Sequence, residues 1–147
     1  ALQLLHQAVN RRPTDVAALE LMAEAAQMAA DWQTAEIALK RALALQPDSI
    51  SLKLRLGEVY LATYEASEAR DLFTSLISDY PHSDRAWASL GLLEARIGNY
   101  ERALEALSRA LHENTMLPEV QLAYGELLLL EGDFEGALTS LMEAEET

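Results

Sequence analysis

The sequence predicts an all-α chain, a right-handed α-solenoid of helix-turn-helix hairpins about four and a half repeats long, with nine helices in all. Three observations lead there. Ala35, Ala69, Ala103 and Ala137 recur every 34 residues with no insertion between them. A large apolar residue follows each alanine by four, as Leu39, Phe73, Leu107 and Leu141, and Ala42, Leu76, Ala110 and Ala144 come three positions later. Half of the residues are apolar, only six are glycine and four proline, and no run alternates as a half-buried strand does.

The elements follow in order. Residues 1–15 read as the second helix of a preceding unit, with Ala1, Leu5 and Ala8 in register and Pro13 closing it. Four units come after, at 16–49, 50–83, 84–117 and 118–147, the last truncated. The first helix of each carries a bulky-small pair, Met22-Ala23, Leu56-Gly57, Leu90-Gly91 and Tyr124-Gly125. A small residue there lets paired helices approach closely, while bulky neighbours fill the space between ridges. The alanine row does the same on each second helix. Gly98 and Gly132 can take the left-handed conformation that ends a helix, and Asn99 and Asp133 are good caps for the helix that follows. Prolines 13, 47 and 81 end one hairpin and start the next.

Some positions depart from the pattern. Ala30 and Tyr64 stand where turn glycines are expected, which predicts less sharp or slightly strained turns. The unit ending at 117 has Glu113-Asn114-Thr115 and no proline until Pro118. Lys53 and Gln121 occupy sites that call for large apolar residues, and the flanking Leu52 and Leu54, or Val120 and Leu122, predict a small rotation of those helices.

The 34-residue period resembles that of the tetratricopeptide repeat. The unit 84–117 carries the fullest form of its signature, Trp87-x-x-Leu90-Gly91, then Gly98-Asn99-Tyr100, Ala103, Leu107 and Ala110. The resemblance covers the whole chain. It implies a non-enzymatic scaffold that binds a protein segment in a concave groove lined by the first helix of each hairpin. Residues two, five, nine, twelve and thirteen of each unit commonly face that groove. Carried onto this chain, the implied partner-binding residues are Glu20, Glu24, Gln27, Leu54, Glu58, Leu61, Arg85, Leu92, Arg96, Glu119, Leu122, Glu126 and Leu129. Leu54, Leu61, Leu92, Leu122 and Leu129 would form an apolar stripe bordered by Glu20, Glu24, Glu58 and Glu126. Such a stripe suits a peptide or amphipathic helix with apolar anchors and basic neighbours. Arg85 and Arg96 interrupt the acidic field; each either pairs with a local glutamate or meets a partner's carboxylate. Family members that clamp the acidic tails of cytosolic chaperones use lysine and asparagine where this chain has Glu20 and Glu24, so that specialisation is disfavoured.

Composition restricts other functions. With 24 acidic and 11 basic residues the formal net charge is −13, which argues against nucleic acid and anionic membrane surfaces. No segment approaches the roughly 18 uninterrupted apolar residues of a membrane span. Without cysteine there is no disulfide or thiolate metal site, and the compartment, cytoplasm or bacterial periplasm and envelope, is not chosen. His6, His82 and His112 fall in different units without ligand spacing, no Gly-rich phosphate loop is present, and no serine stands apart as a nucleophile. Neither cofactor nor catalytic residue is expected.

Both ends carry open apolar faces, Leu2, Leu5 and Val9 on the opening helix and Leu138, Leu141 and Met142 on the closing one. They are read as a segment cut from a longer array or, alternatively, as surfaces for self-association. Besides the scaffold, two readings remain: a regulatory or docking region of a larger enzyme, and an oligomerising spacer.

Overall fold

A computed structural model describes residues 7, 9 and 14–146. Among them are eight α-helices and no strand: α1 Val16–Met28, α2 Trp32–Leu45, α3 Ile50–Ala62, α4 Ala66–Asp79, α5 Asp84–Arg96, α6 Tyr100–Glu113, α7 Pro118–Glu131 and α8 Phe134–Glu146. The ninth helix expected over 1–15 falls mostly outside the described residues, as do Leu2, Leu5, His6 and Pro13; Gln7 and Val9 are helical. Val9 is buried, so it is not on an open face as expected. The chain forms two compact units, unit 1 of residues 1–69 and unit 2 of residues 70–147.

All four hairpin turns have the same backbone design. The amides of Asp31, Glu65, Asn99 and Asp133 each reach back five residues, to the carbonyls of Ala26, Tyr60, Glu94 and Leu128, at 2.8 to 2.9 Å. This bond closes a helix when the residue before it is left-handed. Gly98 and Gly132 have φ of 85° and 86°, and Ala30 and Tyr64 have 54° and 63°. The turns at Ala30 and Tyr64 are therefore as sharp as the glycine turns, not more open; the side chains carry the strain.

The helix starts are capped by short polar side chains. Asp15, Asp31, Ser49 and Ser83 accept from the amides of Ala18, Thr34, Leu52 and Ala86 at 3.2 to 3.3 Å, and Asp133 accepts from Gly136 at 3.0 Å. Asn99 makes no such bond. Its side-chain amide donates instead to the buried Glu94 carboxylate at 2.7 Å, and a hydrogen bond to a charged acceptor outweighs a neutral cap.

In unit 1, α2 packs on both α1 and α3. Leu19, Ala23, Ala26, Ala35, Leu39, Ala42, Leu52 and Val59 are fully buried there. In unit 2, α6 packs on α5 and α7, and α7 packs on α8. The core of that unit gathers Ala88, Ala103, Leu107, Ala110, Val120 and Leu127. The bulky-small pairs work as the sequence indicates. A methyl on Gly91 would lie 2.6 Å from Leu107 Cδ2, and one on Gly125 would lie 2.9 Å from Leu141 Cγ. Leu141 is thus engaged with Gly125 and is not part of an open face, whereas Leu138 and Met142 are exposed.

The rotation expected at Gln121 does not occur. Gln121 keeps the inward position, 2% exposed, because its amide finds the Thr115 carbonyl at 2.9 Å in the loop that lacks proline. On α3, Leu52 and Leu54 are buried either side of a half-buried Lys53.

Candidate partner-binding faces

Helical register sorts the first-helix residues into two sets. Positions two and nine of each repeat face outward: Ala17 and Glu24 on α1, Ser51 and Glu58 on α3, Arg85 on α5, Glu119 and Glu126 on α7 are exposed, with Leu92 half-buried. At position thirteen Met28, Arg96 and Leu130 are exposed and Ala62 is half-buried. Positions five and twelve are more buried, except on α7. Glu20, Gln27, Leu61 and Ala95 are half-buried, while Leu54 is 2% exposed and Ala88 is 9% exposed.

This corrects the expected leucine stripe. Leu54 is core and Leu61 is half-buried; in unit 2 the fifth residue of α5, Ala88, is likewise buried, in a core with Val120 and Leu127 of α7. Leu122 and Leu129 occupy the same columns yet remain 48% and 43% exposed, because among the described residues nothing packs on that side of α7. The outward columns are charged. The four exposed glutamates, Glu24, Glu58, Glu119 and Glu126, form no salt bridge among the described residues, and apolar character on these faces comes from Met28, Leu92 and Leu130.

Each unit presents its own face. In unit 1, Arg55 of α3 reaches across to α1, donating to Gln27 Oε1 at 3.1 Å, with the Glu20 carbonyl at 3.5 Å. That contact fixes Gln27, and Glu24 and Glu58 are exposed in the neighbouring column. Arg55 is not among the implied residues; its position, one beyond Leu54, gives no signal in a single hairpin and acts only across two. In unit 2, α5 and α7 lie side by side. Arg85 and Arg96 stay without an ion partner among the described residues, so the expected pairing with a local glutamate does not form. With Glu119 and Glu126 of α7 they make the exposed columns of unit 2 mixed in sign, where those of unit 1 carry Glu24 and Glu58.

Unit 2 also holds a buried charge pair that the sequence does not single out. Arg70 donates through Nε to Glu94 Oε1 at 2.6 Å and through Nη2 to Oε2 at 3.1 Å, and Glu94 is 2% exposed. The Arg70 guanidinium holds the Glu94 carboxyl below the ordinary glutamate range against the opposing cost of burial, and the Asn99 amide adds to that. Arg70, Thr74, Trp87, Leu90, Glu94, Arg102, Glu105 and Ala106 line a cleft of about 220 Å³. The pair fits one role well, orienting α4 against α5. Elsewhere His82 Nδ1 lies 3.0 Å from Glu113 Oε1 and His112 Nδ1 lies 3.9 Å from the same oxygen, so two histidines from different repeats share one carboxylate. Among the described residues no group of three His, Asp or Glu side chains has metal-binding geometry, and no helix is long and apolar enough to cross a membrane.

Profiles of the tetratricopeptide repeat family match residues 26–93 and 90–146. A curated relative, the BBSome complex member BBS4 of Bos taurus, is 28% identical over 86 residues, a match spanning 58% of this chain and 17% of that protein. Several solved structures are similar. TTC0263, a thermophilic TPR protein of Thermus thermophilus, aligns over 99% of this chain and 80% of its own with 24% identity and a TM-score of 0.81. MamA 41-end from Desulfovibrio magneticus RS-1 aligns over 99% and 82% with 21% identity and a TM-score of 0.81. Pseudomonas aeruginosa pilF aligns over 97% and 65% with 21% identity and a TM-score of 0.85. At these identities the likeness is one of fold.

Proposed function

The chain belongs to the tetratricopeptide repeat family, and from that premise we propose a non-enzymatic protein-protein interaction scaffold whose first-helix faces hold a basic segment of a partner protein. The observation that carries the reading is the row of unpaired carboxylates in the outward columns, Glu24 and Glu58 on unit 1 and Glu119 and Glu126 on unit 2. An exposed carboxylate is well solvated in the free protein and gains most when a lysine or arginine is brought to it in a partly dried surface. Met28 and Leu130, 86% and 70% exposed, supply apolar contact beside those charges. Arg85 and Arg96 accept an acidic residue or chain terminus of the same partner on unit 2.

Selection of peptides from a random display library on the purified chain tests this. The selected sequences should be enriched in lysine and arginine, and their affinity should fall about tenfold or more in Glu24→Lys/Glu58→Lys at low salt. Selected peptides indifferent to that reversal would remove the unit 1 face from the site.

A further inference from the structure

Unit 2 carries a second candidate site away from the first-helix columns. It is the cleft of about 220 Å³ beside the Arg70–Glu94 pair, lined from α4, α5 and α6. Its α5 residues, Trp87, Leu90 and Glu94, are the fourth, seventh and eleventh of their repeat, so none belongs to the outward positions two, nine and thirteen. Floor and mouth differ. Glu94 and Ala106 are buried and Trp87 and Leu90 half-buried, whereas Thr74, Arg102 and Glu105 are exposed. The Trp87 indole is held in place, its Nε1 donating to the Pro81 carbonyl at 2.8 Å, so it offers the cleft only ring surface. The polar groups that remain are mostly donors. Glu94 is occupied, holding two N–H groups of Arg70 and the Asn99 amide. A guanidinium has five N–H groups, so three of those on Arg70 bind nothing among the described residues. Arg102 acts on Glu94 through space but makes no hydrogen bond or ion pair among the described residues, and the Thr74 hydroxyl is equally free. Glu105 is the only lining carboxylate without a partner there. The repeat does not require this chemistry. One period later Leu104, Leu128, Gly136 and Thr139 stand where Arg70, Glu94, Arg102 and Glu105 stand, and the charged set is gone.

We propose that the cleft receives an acidic segment of a partner protein, one large apolar side chain entering against Trp87 and Leu90 while a neighbouring carboxylate accepts from Arg102 and the unengaged edge of Arg70. Size selects the apolar group. An apolar cavity of about 150 Å³ holds benzene, so this cleft takes one phenyl-sized or leucine-sized side chain with its carboxylate, and not a helix. Sign selects the polar group. The unspent donors are cationic and border a half-buried apolar floor, where a charge-assisted hydrogen bond gains more than it does in open water. Glu105 limits the ligand to a single carboxylate, because a second would face it. The carboxylate belongs to an aspartate or glutamate side chain or to the chain terminus after the apolar residue; the recognition chemistry is the same. This occupant is opposite in charge to the basic segment proposed for the first-helix faces, and either site can fail without the other.

The probe is acetyl-Ser-Phe-Asp-Ser-amide, whose single charge is the aspartate, titrated into the isotope-labelled chain. The readout is the nuclear magnetic resonance signal of the Trp87 indole N–H, assigned with Trp32→Phe. A saturable shift is expected, with affinity about tenfold weaker in Arg102→Gln, an exposed position, and about tenfold weaker for the peptide with asparagine in place of aspartate. Glu105→Gln should tighten the aspartate peptide about threefold, and Glu24→Lys/Glu58→Lys should leave it within about twofold at physiological salt. The last result separates this cleft from the outward columns. Acetyl-Ser-Phe with a free carboxylate binding more tightly than the aspartate peptide names a chain terminus as the source, and the reverse order names a side chain. Equal affinity for the aspartate and asparagine peptides, unchanged affinity in Arg102→Gln, or no saturation by roughly 10 mM peptide overturns the proposal.

Discussion

Unit 1 turns its hairpins through Ala30 and Tyr64, unit 2 through Gly98 and Gly132, and all four residues hold the same left-handed backbone. The difference lies in what each unit accepts to keep that geometry. A residue with a Cβ in this region costs about 1 kcal/mol or somewhat more over glycine, and stacking of the hairpins recovers it. A second contrast sits at the eleventh position of the first helices. Unit 1 fills it on α3 with Tyr60, nearly buried, with Lys40 Nζ 5.7 Å from the ring centroid. Unit 2 fills it on α5 with Glu94 and must bring Arg70 and Asn99 to it. One backbone site therefore has an aromatic solution with a cation over the ring and an ionic one, and the ionic one depends on a partner.

The largest expected effect breaks that dependence. Arg70→Met leaves the Glu94 carboxylate buried without its cation and should cost about 3 kcal/mol in urea unfolding. Lys40→Met, the matching change in unit 1, should cost about 1 kcal/mol or less, since its ammonium is exposed. The pH dependence sharpens the contrast. Because the folded Glu94 pKa is depressed, its contribution is fully present above the unfolded carboxylate value of about 4.3 and is lost as pH falls below it. In Arg70→Met the buried carboxyl is pushed the other way, so the stability gap between variant and parent should narrow on acidification. A gap that is constant from neutral pH to about pH 3 would show that Glu94 is not responsible.

Next in size is the close approach of paired helices. Gly91→Ala places a methyl within 2.6 Å of Leu107 and should cost about 2 kcal/mol, while Ala23→Gly in unit 1 should cost about 1–2 kcal/mol through backbone entropy and the loss of a fully buried methyl. A Gly91→Ala variant as stable as the parent would mean that α6 slides to relieve the clash.

The turns come third. Tyr64→Gly, with a ring 90% exposed and little packing to lose, should stabilise by about 0.5–1 kcal/mol, and Ala30→Gly by a similar amount. Gly98→Ala and Gly132→Ala should destabilise by about 1 kcal/mol each. Thermal unfolding of the four variants measures the strain directly. Smallest is the effect of Arg85→Ala and Arg96→Ala, within about 0.5 kcal/mol, because neither arginine has an ion partner to lose. A larger loss of stability would place them in the fold instead of on a binding face.

Much of this architecture is legible in the residues. The 34-residue spacing, the Met22-Ala23 to Tyr124-Gly125 pairs and the cap at Asp133 are local in sequence, and each imposes its structure within a turn or two, whereas the cap expected at Asn99 does not form. The binding faces are only half legible. Register separates first-helix positions from second-helix positions, but it does not tell the fifth column from the ninth, which lie on the same side of one helix and differ in which neighbour covers them. Register alone therefore puts Leu54 outward, where the structure buries it, and the polarity of Gln121 suggests a rotation, where the Thr115 carbonyl keeps it inside.

What the sequence determined by itself is the repeat: two helices, a left-handed turn and a small-residue contact, reproduced wherever the pattern recurs, because these depend on interactions within one hairpin. Tertiary structure alone decided the rest. Arg55 finds Gln27, Arg70 finds Glu94, Asn99 leaves its cap for that same buried carboxylate, and Leu122, Leu129 and Leu138 are exposed where their counterparts one period earlier are covered. The two arginine contacts rest on what one hairpin does to the next, and Asn99 follows because Glu94 is the carboxylate that Arg70 holds in a buried site. Arg55 and Arg70 meet partners 28 and 24 residues away, and the burial that gives those contacts their strength does not exist within a single hairpin.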